Sequence, residues 1–318
     1  MSAESAVPIE PAARPARSRA RRHVGRALAP YALLLPALTV IVAVLAYPLY
    51  QLAALSFQKY GIFELIAHKG QWIGLDNYSQ IVHDREFWTV LGRTIVFTAV
   101  TVGLTMLLGT LIALLLAQLG SFMRLLITTG LVLAWAMPPV VSVNIWTWMV
   151  DYEFGVANWT LSRLGLGYFD HHDWFVSPWE GFAVITAIVV WGAIPFVAIT
   201  IYAGLTQVPR ELVEAASIDG SSAFRIFRDI TLPLLKPIFV ILASLSVIWN
   251  FQVFSQIWII RGNRPESDYF VMGIYSFVTS FGVSQYGLGS AIAVVTVVVL
   301  LAVTFVYIRQ MVRIGEIE

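Results

Sequence analysis

The chain has 318 residues, 58% hydrophobic and 12% charged, with a net charge of +1 and no cysteine. A soluble domain carries about 25% charged residues, so this composition excludes a soluble globule. The missing cysteines remove disulfides, thiolate chemistry and Cys-based metal sites, and the near-neutral charge gives no footing for nucleic acid.

Residues 1–26 are rich in Ala, Pro, Arg and Ser and are expected to form a disordered basic arm. Arg14, Arg17, Arg19, Arg21, Arg22 and Arg26 crowd it. Basic residues flanking a span are held on the cytoplasmic side. The Arg21-Arg22 pair also fits a twin-arginine export signal, but the apolar run behind it is too long for a signal core, so it reads as an anchor on an uncleaved span.

Six stretches then lack charge: residues 27–58, 94–123, 125–150, 181–209, 237–260 and 269–308. A membrane helix needs about 20 apolar residues, so the first five stretches each accommodate one span. In the sixth, the polar, glycine-rich residues 275–289 are expected outside, leading into a span near residues 288–308. Backbone groups in hydrocarbon must pair internally. The expectation is therefore an all-α integral membrane protein, with residues 27–318 forming a six-helix permease domain in the cell membrane. With the N-terminus inside, six spans return the C-terminus, with Arg309 and Arg313, to the cytoplasm. Arg124, Arg210, Arg225, Arg228 and Lys236 then fall on the same side.

Three outer segments emerge. Residues 59–93 hold Trp72, Tyr78, Phe87 and Trp88; residues 151–180 hold Trp159, Tyr168, Phe169, Trp174 and Trp179; residues 261–287 hold Pro265 and several glycines. Aromatics at this depth form an interfacial belt and offer a docking surface to an outer partner. His171-His172-Asp173 has metal-ligating residue types but no fourth ligand at a telling spacing, and no metal is expected there.

The connection between the fourth and fifth spans, residues 206–236, is long for an inner loop. Pro209 suits a helix start, and Glu211 and Glu214 lie where the helix dipole favours acids. Asp219-Gly220 is a turn signal. Phe224, Phe227, Ile230 and Leu234 then recur near helical spacing, and Pro233 and Pro237 mark the entry to the fifth span. The loop is expected to be a helix-turn-helix at the inner membrane face, either a grip for a partner or an interfacial amphipathic helix.

Glu214-Ala215-Ala216, then Gly220, then Ile230 and Leu232-Pro233 resemble the EAA loop of importer permeases of the ATP-binding-cassette class. Ile218-Asp219-Gly220 is also similar to the family pattern, with Ser221 where Ala is common. Further along the chain, Gly74-Leu75-Asp76-Asn77-Tyr78, Pro138, Trp146, Trp191, Pro195-Phe196, Asn250-Phe251 and Gly289-Ser290-Ala291 resemble the maltose and glycerol-phosphate branch of carbohydrate permeases. Two positions depart from it: Arg93 stands where Asn is usual, and Arg261-Gly262-Asn263-Arg264 replaces a glycine run before Pro265. The resemblance implies that Glu214, Ala215, Ala216, Asp219, Gly220, Leu232 and Pro233 seat in a cytoplasmic ATPase. It implies two such ATPase subunits, which hold the ATP and Mg, a second permease of different sequence, and an extracytoplasmic solute-binding protein.

Ser246, Trp249, Asn250 and Val253 fall at helical spacing on one face. Polar residues at membrane depth are costly and mark functional sites, although helix–helix bonding and packing would also account for Asn250 and Trp249. The resemblance points to the same four, with Gly192, Ala193 and Phe196, as residues lining a sugar site. Val253, Ala193 and Phe196 differ in type from the maltose pattern. A non-sugar solute such as glycerol phosphate or its diesters remains an alternative. An ion-coupled carrier is a weaker one, since no span holds an acid, Lys or His and no broken-helix repeat is apparent. The chain has no G-x-x-x-x-G-K-[ST] phosphate loop, so it is not expected to be an enzyme or to hydrolyse ATP itself.

Overall fold

The structure, a computed structural model, describes residues 33–315. The basic arm expected over residues 1–26 lies outside the described residues. Contacts divide the chain into two units, Met1–Leu52 and Ala53–Glu318. Residues 33–52 of the first unit form most of helix α1 (Leu33–Ser56), which contains a π-turn at Val42–Ala46. At 1.5 Å per residue α1 is about 36 Å long, enough to cross a bilayer core.

The second unit opens with a short antiparallel pair, β1 (Gln58–Lys59) and β2 (Gln71–Trp72), enclosing α2 (Ile62–Ala67) and followed by α3 (Asp76–His83). Asn77 fixes this region by donating from Nδ2 to Ser56 O at 2.8 Å and Gln58 O at 2.9 Å. Helix α4 (Arg85–Gln118) is capped by Asp84, whose Oδ1 accepts from Glu86 N at 2.9 Å. It packs along α8 (Pro178–Leu205), and Gly109 permits the approach: a Cβ there would lie 2.6 Å from Val197 Cγ1.

The third apolar stretch was expected as one span. It is two helices, α5 (Ser121–Trp135) and α6 (Pro139–Met149), bent by 99°. Pro138 and Pro139 supply the cause. Each lacks an N–H, and each pushes the residue before it out of helical geometry, so the chain turns at Ala136 and restarts with Pro139 at the first helical position. The fifth stretch is also interrupted. Helix α11 (Lys236–Phe251) stops, residues 252–254 are irregular, and α12 (Ser255–Ile260) resumes. Among the described residues five helices are long and apolar enough to cross a membrane, and the bent pair makes a sixth span when counted as one.

Between α6 and α8 lies α7 (Val156–Arg163), fastened by Trp174 Nε1 donating to Asn158 Oδ1 at 2.7 Å. The loop between α8 and α11 contains α9 (Arg210–Ile218) and α10 (Ala223–Ile226). The chain continues through a π-turn at Phe227–Thr231 into one more turn, Leu232–Leu234. The last helix is α14 (Tyr286–Gly315).

Residues 275–289, expected as a polar outer segment, are partly packed: Tyr275 and Thr279 are buried, whereas Phe281 and Val283 are exposed. Helix α13 (Met272–Phe277) and the π-turn Val278–Gly282 join the main core, with Met272 and Ile274 fully buried. The glycines here mark close approach rather than solvent. A Cβ on Gly289 would lie 1.9 Å from Ser280 Oγ, and one on Gly287 would lie 2.1 Å from Gln58 O. Among the outer aromatics, Trp72, Trp159 and Trp179 are exposed, in keeping with a belt, whereas Phe87 belongs to the core.

Two of the three arginines that depart from the family pattern, Arg93 and Arg261, fasten one segment, residues 267–275. Arg93 Nη1 donates to Ser267 O at 2.8 Å and Phe270 O at 3.0 Å. Met272 N donates to Thr94 Oγ1 at 3.0 Å, and Tyr275 OH donates to Asp84 Oδ2 at 2.7 Å. Arg261 pairs with Glu266 through two bonds, of 3.0 and 2.7 Å, while its guanidinium lies 4.5 Å from the Tyr269 ring centroid. Burial first, and then the neighbouring Asp84, raise the Tyr275 phenol above its ordinary value.

Candidate functional site

A cavity of about 470 Å³ opens between α8, α11 and the break joining α5 to α6. All seven residues named from the sequence line it: Gly192, Ala193 and Phe196 from α8, and Ser246, Trp249, Asn250 and Val253 from α11 and its end. Val253 reaches the cavity by another route than the helical spacing suggested. Helix α11 ends at Phe251, and Val253 lies in the irregular turn beyond it.

The broken third span supplies the opposite wall, through Trp135, Met137 and Ser142. Sequence reasoning missed these three. The signal was present in Pro138-Pro139, two helix breakers in the middle of an uncharged run. Gln256, on a neighbouring face by sequence, also lines the cavity.

The wall is aromatic. Phe196 stacks near Trp135 with ring centroids 6.5 Å apart, and meets the edge of Trp249 at 5.4 Å. Trp249 keeps 53% of its surface open, whereas Ser246 and Asn250 are 3% and 4% exposed. Asn250 Nδ2 donates to Ser246 O at 2.7 Å, within its own helix, and Ser142 Oγ donates to Pro139 O at 3.0 Å. Pro195 deprives the carbonyl of Trp191, itself a lining residue, of its helical donor. None of the lining side chains is ionisable. The site can hold the C–H face of a polar solute against rings and offer it a few acceptors and amide groups.

The second candidate is the loop between α8 and α11. Helix α9 ends in a Schellman motif: Ser221 N donates to Ala216 O at 3.0 Å and Gly220 N to Ser217 O at 3.1 Å. Gly220 has φ +78°, a conformation strained for any side chain. Pro209 stands at the cap just before α9 rather than inside its first turn. Ser222 caps α10, its Oγ accepting from Arg225 N. The expected helix-turn-helix is thus present, with a short second helix extended by the π-turn.

The loop presents apolar groups outward. Leu212, Ile218, Phe224 and Leu234 are exposed, Ile218 at 86%. Glu214, Ala215, Asp219, Gly220 and Pro233 are exposed beside them, while Ala216 and Leu232 are partly covered. Among the described residues Glu214 has no ion-pair partner. Asp229 is paired with Arg228 at 2.6 Å, and that bond holds its carboxyl below the usual range. At the loop's roots α8 and α11 touch: a Cβ on Gly204 would lie 2.6 Å from Ile238 Cδ1 and 3.0 Å from Leu235 Cδ2.

Residues 106–313 match the family described as binding-protein-dependent transport system inner membrane component. The chain is 43% identical to the diacetylchitobiose uptake system permease protein DasB of Streptomyces coelicolor, over 95% of this chain and 92% of that one. It is 34% identical to the trehalose/maltose transport system permease protein MalF of Thermococcus litoralis, over 88% and 92%. Its fold matches a chain of a bacterial alginate ABC transporter solved with a pentasaccharide-bound periplasmic protein. The TM-score is 0.75 at 20% identity, covering 92% of this chain and 97% of that one.

Proposed function

The chain belongs to the family of binding-protein-dependent transport system inner membrane components, and on that premise we propose how it works as the permease subunit of a sugar importer of the ATP-binding-cassette class. It forms half of a translocation pathway, beside a second permease, two ATPase subunits and an extracytoplasmic binding protein. The loop end of the bundle faces the cytoplasm, in keeping with the basic residues Arg210, Arg225, Arg228 and Lys236 that it carries. ATP and Mg are held by the ATPases, and both termini lie on the same side as they do.

One observation carries this reading. The helix pair α8–α11 holds the exposed loop at one end and the aromatic-walled cavity along its length. A push on the loop therefore reaches the wall through continuous helices. Ile218 and Phe224 bury against the ATPase, Glu214 meets a basic group there, and Gly220 sets the turn. The solute passes along Trp135, Phe196 and Trp249, with Gly192, Ala193, Ser246, Asn250 and Val253 completing its contacts. A saccharide fits this wall, and its lack of ionisable groups disfavours glycerol phosphate, because a charge moved out of water needs a partner. Diacetylchitobiose, the solute named for the 43% identical relative, is the first to test.

The test replaces Gly220 with Leu and Glu214 with Lys in the assembled transporter. A side chain at φ +78° costs about 1–3 kcal/mol and reshapes the turn. Uptake of labelled disaccharide should be lost in both variants while membrane insertion persists. Normal uptake in both would overturn the loop's role.

A further inference from the structure

Arg124 is the one charged side chain in α5, whose sequence is otherwise SFM-LLITTGLVLAW. Its guanidinium is committed three ways. Nε donates to Leu116 O at 3.0 Å and Nη2 to Leu119 O at 2.5 Å, which joins it to the last carbonyls of α4. The same group lies 5.4 Å from the ring centroid of Tyr202. Tyr202 is in the last turn of α8, and its carbonyl accepts from Thr206 N at 3.2 Å, where the loop begins. Tyr202 also packs on the small cluster of Ala113, Val197, Ile201 and Leu242, which unites α4, α8 and α11.

Helix α5 has little else to hold it. None of its residues is buried, and it packs chiefly on α8. Its far end carries Trp135 and leads into Met137, both in the cavity wall. The eleven residue steps from Arg124 to Trp135 span about 16 Å of helix, a rigid lever at that length.

We propose that Arg124 is the positioning residue that carries movement of the loop's root into the broken third span, so that Trp135 and Met137 move when the ATPases act. Tyr202 moves with the loop, Arg124 follows Tyr202, and α5 follows Arg124. The chemistry requires arginine. A planar fork can bond two carbonyls and stack on a ring together, whereas an ammonium is a point donor. A guanidinium that only capped α4 would also satisfy those carbonyls, so the test must separate capping from transmission. The inference rests on the importer reading given above.

The chain contains no cysteine, so Met137→Cys places a single thiol in this subunit, at the cavity. The assembled transporter, with its second permease and both ATPases, is treated with a membrane-impermeant maleimide, with and without ATP and vanadate. The labelling rate of the thiol should differ between the two states by about fivefold or more, the range of an ordinary coupling between sites. Adding R124A should shrink that difference to within about twofold, with ATP hydrolysis retained. R124K should restore part of it, and Y202F, which keeps the ring, all of it. If R124A shows the full difference, the proposal is overturned and Arg124 is a cap. If R124A fails to assemble, Y202L decides by the same ratio, because it leaves both carbonyl bonds in place. If the thiol gives no ATP-dependent change even with Arg124 present, the importer reading itself fails.

Discussion

Trp249 is the most open of the α11 side chains lining the cavity, with Ser246 and Asn250 buried beside it and the Asn250 amide nitrogen bonded to Ser246 O. The edge contact between Trp249 and Phe196 holds the indole, and such a pair contributes about 0.5–1.5 kcal/mol beyond its area. Trp249→Ala should therefore lower uptake at sub-saturating disaccharide by about fivefold, mainly through KM, because one ring–solute contact is worth roughly 1 kcal/mol. Asn250→Ala should act differently. It frees the Ser246 carbonyl and an apolar surface, altering the response to solute while leaving assembly intact. Initial rates against concentration distinguish the two, and an unchanged Asn250→Ala profile would return that residue to packing. Four of the seven lining residues were legible because helical spacing and resemblance converged on them; Gly192, Ala193 and Phe196 came from the resemblance alone. Val253 was found for a partly mistaken reason, since its helix ends two residues earlier.

At the level of elements, the α4–α8 contact depends on Gly109. A leucine there would drive its Cβ into Val197, and overpacking of this kind costs about 1–3 kcal/mol. Gly109→Leu should lower the melting temperature of the purified permease and reduce its yield. Gly103→Leu should be tolerated, because nothing lies near a Cβ at that position. The long helices were legible because uncharged runs of 20 or more residues leave few alternatives in lipid. Their interruptions were not. Charge-free length says nothing about φ and ψ, so the 99° bend after Trp135 was hidden within a stretch of ordinary span length. Nor does composition show close approach: Gly287 and Gly289 are small because backbone and Ser280 press against them.

Across the whole molecule, one end depends on ion pairing and the other on an exposed apolar loop. Segment 267–275 is tied to distant parts of the chain by Arg93 and Asp84, and the nearby Arg261, paired with Glu266, lies over its Tyr269 ring. The Arg261 hydrogen bond keeps the Glu266 carboxyl below its ordinary value of about 4.3. A depressed folded value means that the contribution is fully present above the unfolded value and is lost as pH falls through the lowered one. The wild type should thus melt above Glu266→Gln at neutral pH and converge with it at an acid pH below that lowered value. Melting curves at both pH values check this, and a gap that persisted in acid would contradict it. The purpose of Arg93 was not legible in sequence, because its partners lie in a different outer segment and their meeting depends on the packed fold. The length of α11 has a further consequence. Its 16 residues, about 24 Å, separate the exposed loop that holds Gly220 from the turn at Val253. After gene duplication, a descendant could acquire a new cargo by changes around that turn while keeping its inherited motor, so drive and diet can evolve apart.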